Sequence, residues 1–162
     1  MRTDRGVIRI TSQFVQILAT WMDRRGVTAP RLASRLSSLS GRDFIDAAQW
    51  RVLLGEAVAA CPEPDVGLQI GANIRVSHTG VVGYMVLHSE SLADALETYA
   101  LFEQHFYGIH FAELRTRPGV WTLSWPNEQG DEDALWVQVA LAALVTLLDR
   151  AGRHDARLND LL

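Results

Sequence analysis

The feature that most constrains this chain is a change of hydrophobic period near residue 108. Up to that point apolar side chains recur every three or four residues; over the next segments they alternate, before helical spacing returns at residue 134. The segments "IHFAELRTR" and "VWTLSW" flank Pro118-Gly119. Proline pre-sets φ at the first central position of a type II turn, and glycine accepts the positive φ of the second. Trp121, Leu123 and Trp125 then alternate onto one face of the second strand. An isolated hairpin is marginal in water, so it must pack on a helix or join further strands. The fold class expected is α+β, mostly helical with a small antiparallel β-hairpin or sheet.

The helical part divides at clear punctuation. Residues 11–25 carry Phe14, Ile17, Leu18, Trp21 and Met22 on one face, with Thr11 or Ser12 as cap and Gly26 as stop. Pro30 opens a second, short helix marked by Leu32, Leu36 and Leu39. Residues 46–60 form a third, with Trp50, Leu53, Leu54, Ala57 and Val58 inward, and "CPEP" ends it. Residues 65–70 read as a short helix stopping at Gly71. The next helix, within residues 79–87, is apolar nearly all round and is expected to be buried on most sides. Gly83 inside it costs about 1 kcal/mol against alanine, which close approach of a neighbouring helix or backbone would offset. Ser89 caps a long amphipathic helix running to about residue 107, with Leu92, Ala95, Leu96, Tyr99, Phe102 and Phe106 as its apolar face. The polar loop "PNEQGDED" leads into a closing helix over residues 134 to about 151, the most apolar in the chain.

Composition limits the functions open to such a fold. With 162 residues, 48% of them apolar, the chain supports one core, and residues 1–162 are read as a single domain. A formal charge of −4 argues against a surface built wholly for nucleic acid. All fifteen basic residues are arginine, which excludes Schiff-base chemistry, a pyridoxal lysine and a phosphate-loop lysine from these residues. The single cysteine, Cys61, forms no internal disulfide and no cysteine-rich zinc site, and suits a reducing cytoplasm. "MRTDRGVIRITSQ" has no long apolar run of the kind a secretory leader needs. The apolar run over residues 134–148 is interrupted by Gln138 and Thr146 and falls short of the roughly twenty residues that span a bilayer. The expectation is a soluble, cytoplasmic protein with no membrane partner.

No constellation for catalysis or metal binding emerges. His78 and His88 are ten residues apart, which on a helix is about 80° around and about 15 Å along, too far for one ion. They read as boundary residues at the two ends of the apolar helix. His105, His110 and Glu103 match no established ligand spacing. There is no Gly-x-Ser-x-Gly elbow, and Gly67, Gly71, Gly80 and Gly83 make no phosphate loop. Neither a catalytic residue, a metal nor a cofactor is expected. Arg24, Arg25, Arg31, Arg35 and Arg42 cluster near the first helix joins, and "APRLASRLSSLSG" loosely resembles half of a helix-turn-helix. The following helix offers Trp50, Leu53 and Leu54 rather than polar base readers, so a solvated arginine face is the better reading.

What remains is a pocket and a surface. A cavity between hairpin and helices would be apolar with a few polar anchors, as small-molecule sites usually are. Its candidate lining is Tyr84, His88, Tyr99, Trp121 and Trp125. The closing helix supplies a candidate interface through Leu135, Val139, Leu144 and Leu148, with plain internal packing as the alternative.

The stretch "DVGLQIGANIRVSHTGVVGYMVLHSESLADALETYALFEQHF" resembles the amino-terminal, arabinose-binding-like regulatory domain of AraC-type transcription regulators. Gly80, Val81, Val82, Gly83 and Tyr84 match that family's apolar segment ending in Gly-Tyr. Ser89, Glu90, Ser91, Leu92, Ala95 and Leu96 match its serine-rich cap and the Leu-x-x-Ala-Leu that follows, and Gly67, Leu68 and Gly71 also fit. The likeness is strongest over residues 65–106 and extends, by order of elements, over about residues 7–150. It implies a domain that senses a small effector, forms a homodimer, or both, and that controls a helix-turn-helix DNA-binding part not contained in these 162 residues. The alternatives are a ligand-free module that pairs with a full-length regulator and, third, a small enzyme.

Overall fold

The computed structural model describes residues 9–107, 113–124 and 134–159. Helix α1 (Gln13–Arg25) buries Val15, Ile17, Leu18, Trp21 and Met22 and stops at Gly26. Gly26 has φ 64°, and the Val27 N–H closes back on the Met22 carbonyl at 2.9 Å, the left-handed ending that glycine allows. Helix α2 (Pro30–Leu39) starts on proline, whose missing N–H is no loss in a first turn. It buries Leu32, Leu36 and Leu39. Helix α3 (Ala47–Ala60) is capped reciprocally: the Gln49 N–H donates to Asp46 Oδ1 at 2.7 Å, and the Asp46 N–H donates to Gln49 Oε1 at 3.2 Å. Its Trp50 is fully buried and meets Phe14 edge-on, ring centroids 5.9 Å apart.

A two-stranded antiparallel pair, β1 (Arg9–Thr11) with β2 (Phe44–Asp46), joins the ends of this unit with Ile10 opposite Ile45. Both isoleucines are buried. Neither strand was expected, because three residues are too few to show a period of two. The Ser12 hydroxyl, expected to cap α1, instead donates to the Arg42 carbonyl and ties the start of α1 to the approach of β2.

Helix α4 (Val66–Gly71) is short and packs against the closing helix α7 (Ala134–Asn159). Two glycines set this contact. A β-carbon on Gly67 would lie 2.6 Å from Gln138 Oε1, and one on Gly71 would lie 2.3 Å from the Val139 carbonyl oxygen. Together α1 to α4 and one face of α7 enclose the main core, to which α7 contributes Val139, Ala143 and Leu147. Across α7, Arg51 of α3 lies over the Trp136 ring at 5.3 Å.

Helix α5 (Val76–Leu87) begins three residues earlier than the apolar pattern suggested and is broken at Gly80, whose φ of 56° and ψ of −137° are not helical. The expectation of burial on most sides is not met: Val81, Tyr84 and Met85 are each at least half exposed. Only the face carrying Val82 and Val86 is covered. Gly83 also differs from expectation. The atom that forbids a β-carbon there is Thr79 Oγ1 in the preceding turn, 1.7 Å from where it would stand, and not a neighbouring helix.

Helix α6 (Leu92–Tyr107) buries Ala95 and Leu96, with Tyr99 and Phe102 half-buried, whereas Leu92 is 62% exposed. Its cap is Ser91 and not Ser89. The Asp94 N–H donates to Ser91 Oγ at 3.1 Å, while the Ser89 hydroxyl donates back to the Met85 carbonyl at 3.0 Å. Strands β3 (Glu113–Arg117) and β4 (Val120–Ser124) form the hairpin, with Gly119 at φ 75° in its turn and Leu114 opposite Leu123. The hairpin leans on α6 through β3. The fold is thus α+β and mostly helical, with two small antiparallel sheets.

Candidate functional site

A second, smaller apolar cluster lies outside the main core. Val82 and Val86 of α5 and Ala95 of α6 are its buried members, and Tyr99, Phe102 and Leu148 pack against them half-buried. On α5 the spacing of four places both valines on one face. On α6, Ala95, Tyr99 and Phe102 follow at four and three, which aims the aromatic rings at the same place. The hairpin packs on α6, the helix that carries Ala95, Tyr99 and Phe102 of this cluster.

The candidate lining residues do not all meet there. Tyr84 and His88 stack on each other with ring centroids 4.2 Å apart and planes 22° from parallel. Each is two residues past a buried valine, about 200° further round the helix, so the pair occupies the outer face of α5. Tyr84 is 62% exposed. The His88 ring nitrogen Nδ1 lies 2.8 Å from the Tyr84 carbonyl, which makes His88 a helix-end residue as the sequence suggests. Tyr99 faces inward, and Trp121 sits on β4 opposite Thr116, 40% exposed. Trp125 lies outside the described residues, as do the side chains of Glu103, His105, Phe106 and His110.

His78 also lies at an end of α5, as the sequence suggests. It falls in the first turn of α5 and is buried. The Arg75 N–H donates to its Nδ1 at 3.2 Å, which leaves the ring proton on Nε2. Burial lowers its pKa from the usual imidazole value, and the guanidinium charges of Arg75 and Arg150 lower it further. Arg150 is itself anchored on the Ile74 carbonyl at 2.7 Å. These contacts hold a neutral histidine in place.

A polar network at the far end of α1 is structural in the same sense. Glu63 accepts from Arg25 at 2.5 Å and from Gln69 at 2.6 Å, and Gln69 also reaches Asp65. Those bonds, with the Cys61 thiol donating at 3.5 Å, lower the Glu63 pKa, the Gln69 bond being the largest cause. Arg24 donates to Asn73, and Arg35 pairs with Glu56 at 3.1 Å. Three of the five clustered arginines are therefore engaged by side chains of the chain itself. Among the described residues no group of three or more His, Cys, Asp or Glu side chains gathers as metal ligands would.

The family model described as "Arabinose-binding domain of AraC transcription regulator, N-term" matches residues 22–161. The chain belongs to that family. No curated protein and no solved structure matches it. In this arabinose-binding domain the match runs from within α1 to beyond α7, so both apolar clusters and the hairpin fall inside it. The resemblance read over residues 65–106 covers α4, α5 and most of α6 of the domain.

The closing helix of the domain is longer than its apolar pattern suggested. Residues Ala134–Gly152 are long and apolar enough, by length and composition alone, to cross a membrane. α7 packs on α4 and puts Val139, Ala143 and Leu147 into the main core, yet only 22% of that stretch is buried. Of the candidate interface residues, Val139 and Leu144 are buried within the chain, and Leu135 and Leu148 are half-buried against the two clusters. Among the described residues, the exposed large apolar side chains of α7 are Leu141 and Val145, one turn apart. They mark a face that sequence reasoning did not single out, because the helix is apolar on every side and periodicity alone cannot say which side is covered.

Proposed function

We propose that residues 1–162 are one regulatory domain of an AraC-type transcription regulator, cytoplasmic and non-enzymatic, that takes up a small effector and controls a DNA-binding part outside these residues. The observation that carries this reading is the second apolar cluster. It is small, lies on the helix against which the hairpin packs, and has two half-buried aromatics, Tyr99 and Phe102, packed against its buried members. A compact apolar effector with one or two polar groups would extend that cluster, with Tyr99 inside and Trp121 at the rim. The Tyr84–His88 pair on the outer face of α5 would serve as a rim contact and not as the floor of the site. Binding would favour one arrangement of α5 and α6 over another, and that population shift is the physical form regulation takes here.

The test is a thermal-shift panel of sugars, beginning with arabinose, together with small organic acids and aromatic metabolites. A compound at about a hundred times its Kd adds roughly 2.7 kcal/mol to stability, and Trp121→Ala should weaken that gain. No shift across the panel would count against effector sensing.

A second reading is pairing, with another copy or with a full-length relative. Leu141 and Val145 on α7 favour it, since these large apolar side chains are 42% and 56% exposed. Sedimentation across a concentration series checks it: association should grow with concentration, and a monomer at every concentration would remove the support.

A further inference from the structure

The break in α5 divides the domain into two packing units. Before Gly80, the first turn of α5 carries His78, held by the Arg75 N–H, and follows the Ile74 carbonyl that anchors Arg150. Ile74 belongs to the main core. After Gly80, Val82 and Val86 belong to the small cluster with α6. On α7 the division falls between neighbours, with Leu147 in the main core and Leu148 against the small cluster. Gly80 is thus the backbone junction between two separate apolar cores.

Its conformation is one that only glycine enters without strain: φ 56°, ψ −137°. Yet nothing in "VSHTGVVGYMVL" forbids an unbroken helix, for it contains no proline and glycine is as free to adopt helical angles. A β-carbon at Gly80 in the present state would stand 3.3 Å from Gln13 Oε1, so side-chain space is not what keeps glycine there. The left-handed backbone is. Beside the break, the Thr79 hydroxyl donates to the Val76 carbonyl at 2.8 Å and occupies the gap that Gly83 leaves open.

We infer that Gly80 is a hinge between these two units, and that α5 has a second conformation in which it runs straight through residue 80. In that state the remainder of α5 swings with α6 as one body relative to α1–α4. Such a bistable element is what a regulatory domain needs in order to turn a small change in one core into a displacement elsewhere. The hinge is a property of the backbone and does not depend on the identity of any effector.

Alanine at position 80 disfavours the left-handed state and favours the helical one, so Gly80→Ala should populate the straight form. Spin labels at Ser34→Cys on α2 and Glu97→Cys on α6, both exposed, in a Cys61→Ser background, read the distance between the units. Gly80→Ala should move the main distance beyond the width of the wild-type distribution. Gly55→Ala, a helix glycine with nothing within 4 Å of its added β-carbon, should not. A folded Gly80→Ala chain with the wild-type distribution overturns the hinge and leaves a tight turn.

If Gly80→Ala does not fold, native-state hydrogen exchange on the unaltered chain decides. Protected amides in residues 82–102 should open together with protection at least about tenfold below that of residues 13–71, as a separate cooperative unit would. Equal protection in the two sets would overturn the proposal.

Discussion

Gly71 and Val139 meet backbone to backbone, and a β-carbon on Gly71 would lie 2.3 Å from the Val139 carbonyl oxygen. The obstacle is main chain in the middle of a helix and cannot rotate away. Gly71→Ala must push α4 off α7, at a cost of about 1–3 kcal/mol or more. Gly55→Ala, on the open side of α3, should instead stabilise by roughly 0.5–1 kcal/mol through helix propensity. Urea unfolding of the two variants checks the contrast, and similar midpoints would mean that α4 and α7 are not in this contact.

His78 makes stability depend on pH in a defined direction. Its folded pKa is lowered by burial and by two guanidinium groups, so the unfolded chain binds the proton more readily. Its contribution is therefore fully present above the ordinary histidine value of about 6.5 and is lost as pH falls from there toward the folded value. Urea midpoints taken between neutral and mildly acidic pH should fall on acidification. His78→Gln should flatten that fall, whereas a variant with the wild-type slope would assign it to another group.

The two serines before α6 are separable by mutation. Ser91 accepts the Asp94 N–H and caps the helix, while Ser89 only returns a bond to the end of α5. Ser91→Ala should cost about 1 kcal/mol, and Ser89→Ala should cost clearly less. Equal losses in thermal unfolding would contradict this assignment of the cap.

On α7, the exposed pair Leu141 and Val145 and the core residues Val139, Ala143 and Leu147 lie on different faces. Leu141→Glu and Val145→Glu, at exposed positions, should abolish concentration-dependent association in sedimentation while shifting stability by no more than about 0.5 kcal/mol. Val139→Ala, inside the core, should destabilise by roughly 1–3 kcal/mol and leave association unchanged in the folded fraction. Association that survives both glutamates would place the pairing surface elsewhere.

Local patterns carried much of the fold into view. The helical faces of α1, α2 and α3, the stop at Gly26, the proline start of α2 and the turn at Pro118-Gly119 all rest on periodicity and backbone preference within a few residues of each other. The β1–β2 pair escaped notice because its partners are three residues each and lie more than thirty residues apart in the chain. For the candidate residues the sequence carried no direction. Tyr84 and Tyr99 look alike in an apolar run, yet one is exposed on α5 and the other faces Val82 and Val86.

What the sequence determined by itself is the succession of the helices and of the hairpin, the stop at Gly26 and the proline start of α2, and the family to which that succession belongs. These follow from short-range rules: which residues tolerate positive φ, which do without an N–H in a first turn, and which recur at helical spacing. The tertiary structure alone decided the rest. It set which side of an all-round apolar helix is covered, split the apolar residues into two cores, and assigned the glycines different roles. Gly67 and Gly71 admit another helix, Gly83 admits a threonine hydroxyl, and Gly80 breaks its own helix. A glycine has no side chain to announce which of these it does. Only the neighbours that approach it, and the backbone angles they impose, distinguish one from another.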